Sequence, residues 1–446
     1  MQQHAPRRTP LHRQCKVVVV TVIAALGIAA CSEKSGVNAK NDPTTTLVPA
    51  SIDCNKAATI VSCAPKGSTL EAVLPKVALT ATGTPIVVGT INQDTGATGA
   101  FPELTTADKV AVDFINTELG GVDGHPIDLV ACNTQFNPDL SQSCAQQMVT
   151  KHAVAVIGGI DIWGTGIKTL TDNGIPLVGG IPVSFDSVRS PVSFQFSGGT
   201  WGAALGMSEY AIDTLHAKRI AMIYANFGPI TDGAKLAERA IKQHGGVASL
   251  VAVPPINADM VQALNQAAGT KPDVVIALTA DSGCLPVFQT AKQIGLKVPI
   301  MLTGACAATK IIDSAGDAAD GKIFNLEADL EAGKADSVLY RAISEKYGPK
   351  YHYESQGAGT VSFRAVMNLY VMMRRVGATN LTTTTLVKAF KAAHNEPSFM
   401  GHPYTCDGKQ LPGYPAMCAP QQTLGQLTNK AIKQLGGWID IAAWLK

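Results

Sequence analysis

From Pro85 onward the chain alternates short apolar, β-branched runs with longer stretches of helical periodicity, and few folds accept that order. The runs are Ile86–Gly89, Ile127–Val130, Ala153–Ile157 and Ile175–Val178. Between the first two, Val110, Phe114, Ile115 and Leu119 recur at helical spacing within Leu104 to Leu119. Strand–helix alternation predicts an α/β fold, a parallel sheet covered by helices. Runs that are apolar throughout suit strands buried on both faces. After Gly198-Gly199 a second series begins, with strands at Arg219–Tyr224, Ala248–Val253, Asp273–Thr279 and Pro299–Thr303. Helices are expected between them at Gly202–Leu215, Thr231–His244, Met260–Ala268 and Leu285–Ile294, and Gly245-Gly246 sits where a helix C-terminal glycine belongs. The chain is thus read as two similar α/β units in succession.

The N-terminus reads as a targeting segment. Arg7, Arg8, Arg13 and Lys16 precede the uncharged apolar run Val17–Ala30. That run is shorter than the ~20 residues needed to span a bilayer, and fits the apolar region of a signal peptide. It ends in Leu26-Gly27-Ile28-Ala29-Ala30-Cys31, which resembles a bacterial lipobox, so residues 1–30 are expected to be removed and Cys31 lipidated. The alternative is an ordinary signal peptide followed by an incidental cysteine. Residues 31–53 are polar and read as a tether, and 54–84 as a small extension.

Of ten cysteines, Cys15 and Cys31 fall in the targeting segment, and the other eight form four sequence-local couples. An even number in an exported chain argues for disulfides, and proximity pairs Cys54 with Cys63, Cys132 with Cys144, Cys284 with Cys306, and Cys406 with Cys418. Metal binding is the rival reading, but the sequence has no CxxC and no paired Cys/His spacing, so no metal is expected. With 36 basic against 34 acidic residues and no basic run past the extreme N-terminus, the clustered footprint of a nucleic-acid binder is missing.

The order of motifs carries a resemblance. The stretch VVGTINQDTGATGAF is followed by NTELGGVDGHPIDLV, SCAQQMVTKHAVAVIGG and DNGIPLVGG, and then by RIAMIYANFG, KPDVVIALTADSG and AKQIGLKVPIMLTG. From about Pro85 to Ile441 the chain resembles the type I periplasmic binding proteins, in particular the leucine/isoleucine/valine-binding receptors of ABC transporters. The resemblance implies two Rossmann-like lobes joined by three crossovers, with a ligand held in the cleft between them. It places 85–198 and 326–397 in the first lobe, and 199–325 and 398–446 in the second. It also implies an ABC permease as partner, a small-molecule ligand, cleft closure as the working motion, and no catalysis or cofactor.

Members that bind amino acids hold the carboxylate with hydroxyls and backbone N–H groups, and the ammonium with acidic residues, because a buried charge is costly unless paired. Here the matching serine position falls at Ile162 and the threonine position at Val183. The acidic positions fall near Thr200 and near Thr303 or Gly304. The aromatic positions fall at Phe101, at Phe227 and near Ala280. The expected ligand contacts are therefore Phe101, Ile162, Trp163, Ile181, Val183, Trp201 and Phe227 as an apolar wall. Thr98, Asp161, Thr200, Asp281 and the backbone at Gly159 and Gly180 would supply placed polar groups. Such a cleft suits a ligand less polar than a free amino acid. Trp163 and Phe227 are equally open to a packing role, and Asp161 and Asp281 to helix capping.

Other classes leave weaker traces. Gly164-Thr165-Gly166 matches part of a dinucleotide fingerprint but lacks the third glycine, and no Walker A, G-x-S-x-G or H-E-x-x-H sequence occurs. A sensor that hands cleft closure to a partner protein would read the same in sequence as a transport receptor.

Overall fold

The computed structural model describes Cys54, residues 57–96 and residues 99–446. The expected signal segment, the Cys31 lipid site, the tether and Thr98 lie outside the described residues.

The first apolar runs become β1 (Ile86–Asn92), β2 (Ile127–Asn133), β3 (Ala155–Gly158) and β4 (Leu177–Val178), and a short β5 (Ser193–Phe194) completes the set. They form a parallel sheet of order β2-β1-β3-β4-β5. The helices between them are α1 (Pro102–Thr117), α2 (Pro138–Thr150), α3 (Ile167–Asp172) and α4 (Phe185–Arg189). Next come α5 (Gly199–Glu209), β6 (Arg219–Ala225), α6 (Gly228–Gln243), β7 (Val247–Val253) and α7 (Met260–Gly269). They are followed by β8 (Val274–Leu278), α8 (Asp281–Gln293), β9 (Ile300–Leu302), α9 (Thr309–Ala315) and β10 (Ile323–Leu326). The chain then returns to the first lobe as α10 (Ala335–Tyr347), α11 (Gly359–Val376) and α12 (Thr383–Lys391), and ends as β11 (Gln422–Thr428), β12 (Ala431–Ile439) and α13 (Ile441–Trp444).

The second sheet runs β12-β11-β10-β9-β8-β6-β7. Its parallel part, β7-β6-β8-β9-β10, repeats the order of the first sheet, so each lobe has its strand order reverse between its first and third strands. Ligands of open α/β sheets bind outside the carboxyl ends of strands at that point. The pair β11 and β12 adds an antiparallel edge. Periodicity alone did not mark it, because its residues, Gln422, Gly425, Gln426 and Thr428 among them, form no continuous apolar run.

One core packs α1, α10, α11 and α12 against the first sheet, with Phe114, Tyr340, Met367, Met372, Met373 and Phe390 buried in it. Ile60 and Leu70 of the extension belong to the same core. Ser68 and Thr69 fix the extension by donating to the Asp336 carboxylate, at 2.7–2.9 Å. The second lobe has cores on both faces of its sheet. Residues 398–446, expected wholly in the second lobe, divide in the structure. Phe399, Met400 and Tyr404 pack into the first core, whereas Leu411, Tyr414 and Met417 pack into the second. The third crossing needs that length to pass between the cores. Disulfides join Cys54 to Cys63, Cys132 to Cys144, Cys284 to Cys306 and Cys406 to Cys418.

Three crossings link the lobes, between β5 and α5, between β10 and α10, and between α12 and β11. They are clasped together. Arg364 of α11 is fully buried and donates through Nη2 to the Phe196 carbonyl of the first crossing at 2.8 Å, and through Nη1 to the Glu327 carbonyl of the second. Cys418 of the third crossing donates to the Gln195 carbonyl at 2.8 Å, and Asp329 N–H donates to the Met400 carbonyl at 2.6 Å. Gln422 lies against α5, where Gly198, Gly202 and Gly206 fall at helical spacing. A Cβ at Gly202 would come within 2.6 Å of the Gln422 amide, so only glycine lets strand and helix approach this closely.

Replacing Arg364 with Met leaves two buried carbonyls and the Glu327 carboxylate unpaired. The expected loss is about 3–5 kcal/mol in urea unfolding, with Arg364→Lys recovering less than half because one ammonium nitrogen lacks the planar fork that reaches both carbonyls. A loss under ~1 kcal/mol would show that the crossings do not depend on this contact.

Candidate functional site

Between the lobes lies a cavity of about 560 Å³. Its walls are built by loops that follow strands: Phe101 after β1, Ile160 and Ile162 after β3, Ile181 and Val183 after β4, Phe227 after β6, Thr279 after β8 and Thr303 after β9. Its floor is the second crossing, from Asn325 to Ala328, together with Gln356 to Val361 leading into α11.

Paired glycines shape the first-lobe wall. A Cβ at Gly158 would lie 2.4 Å from the Gly179 carbonyl oxygen, and one at Gly180, whose φ is +88°, would lie 2.2 Å from that of Gly158. The loops after β3 and β4 therefore close onto each other and bond together. Gly159 N–H donates to Ile91 O at 2.9 Å, Ile160 N–H to Asn92 Oδ1 at 2.9 Å, and Ile181 N–H to Gly159 O at 3.1 Å. Asn92 in turn donates to Asp94, to the Phe101 carbonyl and to Thr105. Three N–H groups of this wall, those of Gly159, Ile160 and Ile181, are thus held inside the lobe.

Six of the sequence-expected contacts line the cavity: Phe101, Ile162, Ile181, Val183, Thr200 and Phe227. The others do not. Gly159 is bonded to Ile91 and Ile181, and Gly180 packs closely on Gly158. Asp161 accepts a 2.6 Å hydrogen bond from Ser141 Oγ, and the Trp163 and Gly164 N–H groups also favour its charged form against the burial that raises its pKa. It does not cap α3, whose N-cap position is Gly166 with no side-chain cap, but ties its own loop to α2. Trp201 is fully buried in the second core, donates to Asp232 at 2.8 Å and packs on Phe185 and Tyr414. Successive helix residues point about 100° apart, so α5 turns Thr200 to the cleft and Trp201 to the core. Asp281 begins α8, accepts from Ser282 N–H at 2.8 Å, and presses on Gly99, where a Cβ would lie 2.5 Å from its Oδ1.

Trp163 sits outside the cavity and is 38% exposed, yet it connects the lobes. Its indole N–H donates to the Phe136 carbonyl at 3.0 Å, and its ring meets Phe227 of the second lobe edge-on, with centroids 5.4 Å apart. Reasoning from sequence missed the floor. Asn325, Glu327, Gln356 and Thr360 line it, and Tyr340 Oη donates to Ser355 O at 2.8 Å beside it. These residues lie 25 or more positions from any strand–loop motif of the first lobe, and only the crossing brings them in.

An acidic group spans the rim. Glu103, in the first turn of α1, has its pKa raised to about 7, mainly by burial and further by Asp281 and Glu354, while its own backbone N–H and Lys310 pull it down. In the first-lobe core, Asp108 is raised to about 7 by burial, although Ser362 and Thr90 hydroxyls donate to it at 2.6 and 2.7 Å.

Two lobes of matched topology around an apolar cleft define a ligand-binding clamp. The chain belongs to the periplasmic binding protein family, whose model matches residues 85–414. The family is one of solute-binding proteins, not enzymes, and membership implies an extracytoplasmic location. Among the described residues no helix is long and apolar enough to cross a membrane. A fatty acid ABC transporter substrate-binding protein from Thermomonospora curvata is similar in structure, with TM-score 0.67 and 17% identity over 82% of this chain and 96% of that one. A solute-binding protein of an ABC transporter from Rhodopseudomonas palustris BisB5, in complex with 3,4-dihydroxybenzoic acid, gives TM-score 0.66 and 17% identity over 80% and 98%. The branched-chain amino acid transporter substrate-binding protein LivJ from Streptococcus pneumoniae, in complex with isoleucine, gives TM-score 0.65 and 16% identity over 80% and 99%. No curated protein matches the sequence.

The two raised carboxyls set a pH dependence. Below pH 4 both states hold these protons and nothing is lost. As pH rises toward about 7 the unfolded chain releases them while the folded chain retains them, so stability falls and stays lower above that range. Between pH 5 and 8 the Glu103→Gln protein should lose ~1–3 kcal/mol less than the wild type in urea unfolding. Parallel curves for the two proteins would count against the assignment.

Proposed function

We propose that this chain is the extracytoplasmic receptor of an ABC importer, held to the membrane by a lipid on Cys31. In this reading it captures a small organic ligand less polar than a free amino acid, and the two lobes close over it. Phe101, Ile162, Ile181, Val183, Thr200 and Phe227 are the proposed contacts. The observation that carries this reading is the first-lobe wall. The N–H groups of Gly159, Ile160 and Ile181 are bonded within the lobe, and apolar side chains stand where a zwitterion's carboxylate would be gripped. A free amino acid entering there would bury a charge without a partner, which costs several kcal/mol. Neighbours of this fold include the substrate-binding protein of a fatty acid transporter and a solute-binding protein in complex with 3,4-dihydroxybenzoic acid, ligands whose bodies are largely apolar.

The test is thermal unfolding of the mature chain against free amino acids, amides, aromatic acids and aliphatic acids. A ligand of the folded state stabilises it by about 2.7 kcal/mol at 100 times its dissociation constant. Stabilisation is expected from members with a large apolar body and not from leucine, isoleucine or valine. Tight binding of leucine, isoleucine or valine would defeat the reading. The Phe227→Ala protein should bind the best ligand about tenfold more weakly, because the second lobe loses its principal apolar contact.

A further inference from the structure

The lobes touch each other around the cavity. Trp163 of the first lobe meets Phe227 of the second edge-on, with ring centroids 5.4 Å apart. Asp281 of the second lobe presses on Gly99 of the first, where a Cβ would lie 2.5 Å from its Oδ1. Gly357, leading into α11, stands against Ala308 after β9, and a Cβ there would lie 3.4 Å from the Ala308 Cα. Phe101 and Ile160 of the first lobe share an apolar cluster with Ala280 and Ala305 of the second. With the lobes in contact on these sides, the space of about 560 Å³ between them is room that a captured ligand would fill.

The shape of that room follows from the sheets. On the second-lobe wall Asn257, Phe227, Thr279 and Ala305 follow β7, β6, β8 and β9, which are four neighbours in their sheet. On the first-lobe wall Phe136, Phe101, Ile162 and Val183 follow β2, β1, β3 and β4, again four neighbours. All of these except Phe101 keep accessible surface. Neighbouring strands lie about 4.8 Å apart, so a wall four strands wide is about 14 Å long between its outer strands. A carbon chain with bonds of about 1.52 Å advances roughly 1.3 Å per bond, so that length takes about 11 bonds. Volume points the same way: a methylene needs about the room of a water in the liquid, about 30 Å³, so about 560 Å³ holds about 19 such groups. That is roughly twice what leucine or a dihydroxybenzoic acid would fill. At the β7 end Pro254, Pro255 and Asn257 line the cavity and are exposed, so a polar end group can stay in water there while the rest of the molecule is buried. We infer that the ligand is elongated: an apolar chain of about 12–16 carbon atoms lying across the strand ends, with its polar end at the Pro254–Asn257 mouth. This inference rests on the reading of the cavity as the ligand site, and adds the ligand's size and shape.

Chain length is the test. The mature chain is titrated by calorimetry with hexanoate, octanoate, decanoate and dodecanoate, with the matching straight-chain 1-alcohols, and with the compact cage adamantane-1-carboxylate, all below their micelle concentrations. In whichever head-group series binds, affinity should rise about threefold to fourfold with each added methylene through to the dodecyl member. The cage should bind at least about tenfold more weakly than the dodecyl member. Ala258→Trp places a large ring at the β7 end of the cavity, and should weaken binding of the dodecyl member about tenfold, as though two methylenes had lost their contacts. If affinity stops rising by the octyl member, or the cage binds as well as the dodecyl chain, the elongated ligand is overturned and the apolar cleft stands. If Ala258→Trp folds and binds the dodecyl member as the wild type does, the chain does not lie where it is placed and the inference is likewise overturned. If no member of either series binds and the cage does not, the apolar-cleft reading fails and this one fails with it. The wild-type series decides the matter even where the variant does not fold.

Discussion

The two-lobed arrangement depends on one buried cation. Arg364 comes from a first-lobe helix, yet its guanidinium ends among segments that belong to neither lobe. It ties the first crossing to the second. A guanidinium suits this position because its planar fork can bond two carbonyls from different strands, where an ammonium is a single point charge. Its desolvation is offset by the Glu327 carboxylate beside it and by those two carbonyls. The crossings are thereby gathered into one bundle.

The cleft follows from the same geometry. Because both lobes repeat one strand order, the carboxyl ends of their strands face each other, and loops from six strands meet around one cavity. The chemistry of those loops is uneven. The first-lobe wall is sealed by loop-to-loop hydrogen bonds made possible at Gly158 and Gly180. The polar groups gather at the floor, around Asn325, Glu327 and Thr360. The cavity therefore offers an apolar body on most sides and hydrogen bonding at one end.

Much of the fold was legible because buried parallel strands read as unbroken apolar runs. The runs before Gly198 and those from Arg219 to Thr303 correspond to strands with ends within three residues, and the helices follow from their spacing. The edge strands β11 and β12 were not legible, since partly exposed antiparallel strands carry no such run. The site was legible only where a residue directly follows a strand. Phe101, Ile162, Ile181, Val183 and Phe227 were found that way. Trp201 misled because one step along a helix moves a side chain from the cleft to the core. Asp161 misled because nothing in its own neighbourhood reveals Ser141, twenty residues earlier on α2. Glu327 was invisible because its partner, Arg364, is distant in sequence.

The staple in the third crossing has a mechanical meaning. Two of the links between lobes are short, and a long slack third one would leave the bodies free to slide and twist. Cys406 and Cys418 hold the arms of that long segment together, with their Cα atoms 4.5 Å apart across 12 residues of chain. The intervening loop is not slack: Leu411, Tyr414 and Met417 are buried in the second core, while Cys406 and Cys418 lie in the first. The covalent tie therefore clamps, on the first-lobe side, the base of a loop whose tip is seated in the second lobe, as a rivet holds the root of a tongue set in a facing groove.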